Sequence, residues 1–329
     1  EISGLRSLMW QARHLDRFLA ADLDKSDWIE AANFVQKRID NKVIEKAIKQ
    51  MPAEVYDISG HEIEAKLKHR VGDLEKYAID YYEMLAEEVD VVGSNEKEYF
   101  DVRRNENGTV LVRVSNLVDS QGLGQNIFYN RVFLPEETDE IRLYGLDGAD
   151  VFKVHGNSNE SILVRIIGGP GKDKISDSST GAETLIYEKS TKGEIQLGEE
   201  SVIMFPSDLN LYNYNRTAFV YNTYFPLPYI AYNVDKQFMF GLNLEFLTQK
   251  FGKKDYNIKH TISAELATAG TFFLGYDMRL HHRIGSWDIT MGGFYANPND
   301  FLYFYGLGNE TVKDEDLFDQ GYYKTRFKS

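Results

Sequence analysis

Between Tyr232 and Ala296 apolar and polar side chains alternate over successive segments long enough to cross a lipid bilayer. Phe238, Phe240, Leu242, Leu244 and Phe246 take every second position, with Gly241, Asn243 and Glu245 between them. Ile258, Ile262, Ala264 and Leu266 alternate with Lys259, Thr261, Ser263 and Glu265. Phe272, Leu274, Tyr276, Met278 and Leu280 alternate with Gly275, Asp277 and Arg279, and Trp287, Ile289, Met291 and Tyr295 with Asp288, Thr290 and Gly292. A period of two sends one set to each face of a pleated strand. Segments of about 9–11 residues, apolar outside and polar inside, are what a transmembrane β-barrel requires, because lipid tolerates no open sheet edge. A soluble antiparallel sheet with one wet face alternates in the same way. Crowding of Phe, Leu, Tyr and Trp on one face favours the barrel, with that face turned to lipid. So do the aromatic residues at segment ends, Phe225, Tyr229, Tyr232, Phe294, Tyr295, Phe301, Tyr303, Phe304 and Tyr305, where an interfacial girdle would sit.

Upstream the period is different. Residues 1 to about 90 read as helical: Asp27 with Glu30 suggests a capping box, and Trp28, Ala32, Val35 and Ile39 share a helical face. A second short helix would carry Val43, Ala47, Ile48 and Met51 and stop at Pro52. Ser59 with Glu62 suggests another capping box, opening a long helix with an apolar stripe of Ile63, Leu67, Leu74, Ala78, Tyr81 and Leu85. Glu62 with Lys66 and Glu64 with Lys68 would pair along its outer face.

From Tyr99 the period becomes two. Phe100–Arg104 and Thr109–Val114 flank Asn105-Glu106-Asn107-Gly108, a hairpin pattern, and a strand over 126–134 ends at Pro135. An internal repeat follows. Ile141 to Phe152 aligns with Val164 to Ile175 as strand, G-x-x-G-x-D, apolar, so that Gly145 and Gly148 fall on Gly168 and Gly171, and Asp150 falls on Asp173. A weaker third copy runs from Leu185 to Gly193. The glycines are expected to be structural, letting the chain turn between stacked strands, while the Asp caps the turn or binds a cation. Gly168 to Ile175 also matches the core of Ca²⁺-binding β-roll nonapeptides, which makes Asp147, Asp150, Asp173 and Asp177 the candidate ligands. Those nonapeptides stack in tandem, whereas here the copies lie a whole rung apart. Capping is therefore the favoured role, and no metal or cofactor is expected.

The segments thus suggest an α+β, mainly β chain: a helical segment over 1–92, a β-rich, roll- or sandwich-like domain over 96–206, and the first strands of an antiparallel barrel over 216–329. The Asn/Tyr-rich stretch 210–215 reads as a connector, and Asp314 to Asp319 as an acidic loop. A net charge of -14 argues against a nucleic-acid partner. With no cysteine, disulfides, thiolate metal sites and a Cys nucleophile are excluded. No apolar run approaches the ~18 residues of a membrane helix, so membrane contact must be through strands. His14, His61 and His69 are scattered, and His281 and His282 read as rim residues beside Asp277 and Arg279. No acid/base pair or nucleophile constellation is legible, so no enzymatic activity is expected. The chain ends just past a further strand-like piece around Tyr323, Thr325 and Phe327 and is expected to be part of a longer polypeptide.

Together, "LYGLDGADVF", "RIIGGPGKDKISD", "PLPYIAYNVDKQFMFGLNLEF" and "FYGLGNET" resemble Gram-negative envelope proteins that end in a barrel of the bacterial surface antigen family, the BamA/TamA-type outer-membrane assembly proteins. The resemblance implies a barrel of about sixteen strands in the outer membrane, a periplasmic N-terminal part, lipid contact, and a role in inserting, secreting or displaying client envelope proteins. Such tails often follow a calcineurin-like metallophosphoesterase domain, so the alternative is a membrane anchor for an upstream phosphohydrolase. That domain's D-x-H and G-N-H-[DE] motifs are absent, since Gly308-Asn309-Glu310 lacks the His, and no POTRA repeat is recognisable.

Overall fold

The computed structural model describes residues 4–117, 124, 126–159, 162–188, 194–205, 209–252, 256–284, 287–297, 301–308 and 310–326. Phe327, Asn309, residues 189–193 of the third repeat copy and the His282 side chain lie outside these. The chain is α+β and mainly β, and divides into two compact units, Glu1–Ala218 and Phe219–Ser329.

The first unit begins with helices α1 (Leu5–Leu8), α2 (Arg13–Leu19), α3 (Lys25–Arg38), α4 (Asn41–Ile48) and α5 (Ala53–Val55). A π-helical turn (Tyr56–Gly60), α6 (His61–Gly72) and α7 (Leu74–Ala86) follow. The capping box at α3 uses Asp24 with Asp27 rather than Asp27 with Glu30, because Asp24 has the extended backbone of an N-cap. Ser59 caps nothing: it lies inside the π-turn, its hydroxyl donating to the Val55 carbonyl at 3.2 Å, and the turn runs directly into α6. In α4 the buried face is Ile44 and Ile48, leaving Val43 exposed. The expected ion pairs form, Lys66–Glu62 at 2.5 Å and Lys68–Glu64 at 2.7 Å.

The rest of this unit is a two-sheet roll. One sheet has the order β1 (Glu88–Val92), β5 (Glu140–Tyr144), β7 (Leu163–Gly169), β9 (Thr184–Glu188) and β11 (Ser201–Ile203), all parallel. The other runs β10 (Glu194–Gln196), β8 (Lys174–Asp177), β6 (Val151–Gly156), β2 (Glu98–Arg104), β3 (Val110–Asn116) and β4 (Ile127–Phe133). Apart from the β3–β4 hairpin, which extends the second sheet, successive strands thus alternate between the sheets, each coil laying one strand in each. The register reproduces the repeat: Ile141 pairs with Val164, Tyr144 with Ile167 and Phe152 with Ile175. Val89, Val91, Ile141, Leu143, Val164, Ile166 and Ile186 of the first sheet meet Phe100, Val102, Phe152, Val154 and Ile175 of the second in one core. Helices α2 and α7 cover only the β1 edge of the first sheet, and further along its outer face Arg142 and Arg165 are buried in ion pairs with Glu88 and Glu140. Arg17 ties α2 to that covering by donating to the carbonyls of Met84 and Glu88 at 3.2 and 2.6 Å. Tyr129 and Arg131 both donate to the Ala21 carbonyl, at 2.8 and 2.7 Å. The 105–109 loop closes β2 on β3 with positive φ at Gly108 alone, so the turn is longer than a two-residue hairpin. After β11, a 3-10 turn (Leu209–Tyr212) begins the connector.

The second unit is a single-layer antiparallel meander of β12 (Thr223–Asn233), β13 (Gln237–Thr248), β14 (Ile258–Ala267), β15 (Phe272–Ile284) and β16 (Trp287–Ala296), 11, 12, 10, 13 and 10 residues long. Among the described residues this sheet is open, and no closed barrel is formed. A small ribbon of β17 (Phe301–Tyr303) and β18 (Lys324–Arg326) follows, with α8 (Glu315–Asp319) between them. The acidic stretch 314–319 is therefore a short helix, whose N-cap Asp314 accepts from the Leu317 N–H. Asp235, in the β12–β13 turn, holds the ribbon by accepting from Tyr303 Oη and Lys324 Nζ, each at 2.7 Å.

Candidate functional site

Two features stand out chemically, one in each unit. The first is the pair of faces of the five-stranded sheet. Its register sends Phe238, Phe240, Leu242, Leu244 and Phe246 to the same face as Ile262 and Leu266, as Leu274, Tyr276 and Met278, and as Ile289 and Met291. Trp287 joins them across a bulge, opposite Ile284. The first strand, β12, extends the face with Tyr224, Pro226, Pro228, Ile230 and Tyr232. Much of it is bare: Phe238, Phe240, Leu266, Leu274, Met291 and Trp287 are all more than half exposed. One residue interrupts it. His260 pairs with Phe246 and Met278 on the apolar face, and its Nδ1 lies 2.8 Å from the Tyr276 hydroxyl, which satisfies both groups locally.

The opposite face carries the ion pairs, although β12 also puts Phe225 and Leu227 on it, and Phe273 and Phe294 lie there too. Glu245 meets Lys259 at 2.6 Å, and Glu265 accepts from Lys236 at 3.3 Å and from the Tyr229 hydroxyl at 2.7 Å. To reach Glu265, Tyr229 lies across Gly241, where any Cβ would collide with its ring. Phe273 packs over Gly275 of its own strand. Aromatic rings laid over glycines on a neighbouring strand let a sheet curve without leaving a hole. His281 stands at the strand end, 3.1 Å from Asp288.

The second feature is the corner where each coil of the roll passes from first sheet to second. Gly145, Gly148, Gly168 and Gly171 all lie there, with Asp150 and Asp173 closing the turns. Asp150 Oδ1 accepts from the Glu98 N–H at 2.8 Å, and Asp173 Oδ1 from the Asp150 N–H at 2.9 Å, so each Asp caps the coil before it. The candidate cation ligands do not converge. Asp147 is exposed on the turn, and Asp177 lies at the far end of β8, roughly 13 Å away at about 3.3 Å per residue. Asp177 is satisfied there by Ser179 N–H, Ser179 Oγ and Ser201 Oγ at 2.7–2.8 Å. No group of three or more His, Asp or Glu among the described residues is arranged to hold a metal ion.

Two members of the corner escape sequence reasoning, Glu98 and Glu188. Val92 pairs with Tyr144 and Tyr99 with Val151, so Val-Gly93-x4-Glu98-Tyr-Phe is an earlier copy of the repeat with Glu in place of Asp. That signal was present in the sequence, hidden by the inserted hairpin. Glu188 comes from β9, where it pairs with Gly169 after a register shift, and no spacing rule would have found it. Burial pushes Asp150 up to about 8, helped by the carboxyls of Asp173 and Glu98 and opposed by the Glu98 N–H; burial raises Asp173 as well.

Comparison with known protein families, curated proteins and solved structures returned no match.

Proposed function

We propose that Phe219–Ser329 is the membrane-embedded part of an outer-membrane β-barrel protein, and that the chain serves envelope biogenesis by inserting, secreting or displaying other proteins. The observation that carries the membrane assignment is the continuous apolar face, in register across all five strands and backed by an internally ion-paired face. Exposed apolar patches on soluble monomers rarely exceed a few hundred Å², and a water-soluble sheet would bury this face under a second layer. A lipid bilayer supplies that layer. Strands of 10–13 residues reach across the hydrocarbon core when tilted, and aromatic-covered glycines on the polar face suit a sheet that must close. The envelope role rests on the resemblance of the turn and strand motifs and on a mixed unit preceding the sheet; the roll and helices would then sit in the periplasm.

The test compares the two faces. Leu242→Arg or Met278→Arg is expected to weaken folding into lipid vesicles by about 2–4 kcal/mol, whereas Asn243→Arg on the polar face changes it little. Equal sensitivity on both faces, measured by urea titration of the vesicle-folded chain, would refute the membrane assignment.

A further inference from the structure

The roll buries a carboxyl group at the same corner of four successive coils, Glu98, Asp150, Asp173 and Glu188. Glu98 and Asp150 are fully buried and Asp173 is 1% exposed. One oxygen of each of these three is engaged: Glu98 Oε1 by the Ser94 hydroxyl, and the Asp Oδ1 atoms by the backbone N–H groups of the preceding coil. The other oxygens, Glu98 Oε2, Asp150 Oδ2 and Asp173 Oδ2, are buried without a hydrogen-bond partner. All three point into one column lined by glycine: a Cβ on Gly93 would meet Glu98 Oε2, one on Gly145 would meet Asp150 Oδ2, and one on Gly168 would fall between Asp173 Oδ2 and Glu188 Oε2.

Among the described residues, no cation acts on Asp150 or Asp173. The groups acting on Asp150 are Glu98 and Asp173, and those acting on Asp173 are Asp150 and Glu188. Tyr187 and Tyr212 border Glu188, and nearby Lys174 is turned outward to Glu194 at 3.2 Å. Within the column the carboxyls adjoin in pairs, Glu98 with Asp150 and Asp173 with Glu188. Two ionised carboxylates offer only acceptors, so Glu98 and Asp150 cannot hydrogen-bond to each other without a proton, and a buried charge left unpaired there is costly.

We infer that the Glu98 and Asp150 carboxyl groups, with Asp173 beside them, form a proton-binding site in which Asp150 shares a proton with Glu98, and which couples the stability of the roll to pH. In the titration step a carboxyl O–H breaks to give a carboxylate and a proton released to water. Asp150 shows the sign. Its folded value is pushed up to about 8, above the ordinary carboxylate value near 4 that the unfolded chain would have. Below pH ~4 both states hold the proton and the contribution is complete; between about 4 and 8 only the unfolded chain gives it up, and the contribution is lost. The roll is therefore built to be tightest in acid and to loosen as the medium becomes alkaline.

Hydrogen exchange of the full chain in detergent, read on peptides covering β5–β8 and corrected for the intrinsic pH dependence, tests this. Wild type should show opening that increases up to about tenfold per pH unit for each proton involved, over pH 5 to 8. Asp150→Asn keeps the acceptor for the Glu98 N–H and supplies a permanent donor to the Glu98 carboxylate, so at pH 8 it should exchange at least tenfold more slowly than wild type, with a shallower pH profile. Infrared spectroscopy of the wild type at pH 6 should show a protonated carboxyl band that Asp150→Asn diminishes. A flat wild-type profile would overturn the inference whatever the variant does. Protection that collapses with a chelator and returns with Ca²⁺ would also overturn it, by showing that a cation rather than a proton neutralises the column.

Discussion

At the residue scale, the corners show why particular glycines are required, and for different reasons. Gly171 does not need a positive φ; it is needed because a Cβ there would strike the Gly148 carbonyl of the coil below. Gly171→Val should accordingly cost about 1–3 kcal/mol by forcing backbone apart, read from urea unfolding. One coil earlier, Leu146 sits at φ 64 where the next coil has Gly169 at φ 102. A branched side chain in the left-handed region is strained by about 1–2 kcal/mol. Leu146→Gly relieves this at some entropic cost in the unfolded chain, so the same measurement should find it neutral or stabilising by up to ~1 kcal/mol. A destabilisation above that would mean that the Leu146 side chain contributes packing the backbone argument ignores.

At the element scale, the two edges of the five-stranded sheet are unequal. Phe238 accepts from the Thr268 N–H at 2.9 Å and donates to Thr268 Oγ1, so even-numbered residues of β13 turn their backbone groups to β14. By the antiparallel alternation, Tyr224, Pro226, Pro228, Ile230 and Tyr232 then face away from β13, along the free edge. Two of those five positions are proline and have no N–H to offer, where Pro is tolerated on an edge and blunts it. The β16 edge carries Asp288, Thr290, Gly292, Phe294 and Ala296 with every donor present. Replacing Pro226 and Pro228 together by Val should restore the β12 ladder and drive edge-to-edge association, seen as larger species on size exclusion in detergent. An unchanged monomer would show that the prolines do not guard this edge.

At the scale of the whole molecule, the two units bury their apolar residues by different means. Glu1–Ala218 has a continuous internal core between its sheets. Phe219–Ser329 has a sheet with one apolar face and none of its described residues laid over it. A chain ending at Ala218 should remain monomeric without detergent, whereas the full chain should need detergent or lipid, as light scattering would show. A monodisperse full chain in plain buffer would count against the membrane assignment.

The sequence by itself determined what depends on neighbours along the chain. The period of two placed every residue it assigned to the apolar set on one face of the sheet, and the G-x-x-G-x-D spacing set the register of β5 on β7, because a repeat of fixed length stacks on itself. The i,i+4 ion pairs of α6 were legible for the same reason. Tertiary structure alone decided the rest. It joined the helices to the roll through carbonyls such as that of Ala21, which no side-chain pattern reveals. It chose Asp24 over Asp27 as the N-cap, because the cap depends on backbone conformation. It also brought Glu98 and Glu188, 90 residues apart in the chain, into one buried column with Asp150 and Asp173. Coiling converts distance along the chain into adjacency between coils, and only burial in that corner raises Asp150 and Asp173 above the ordinary carboxylate range.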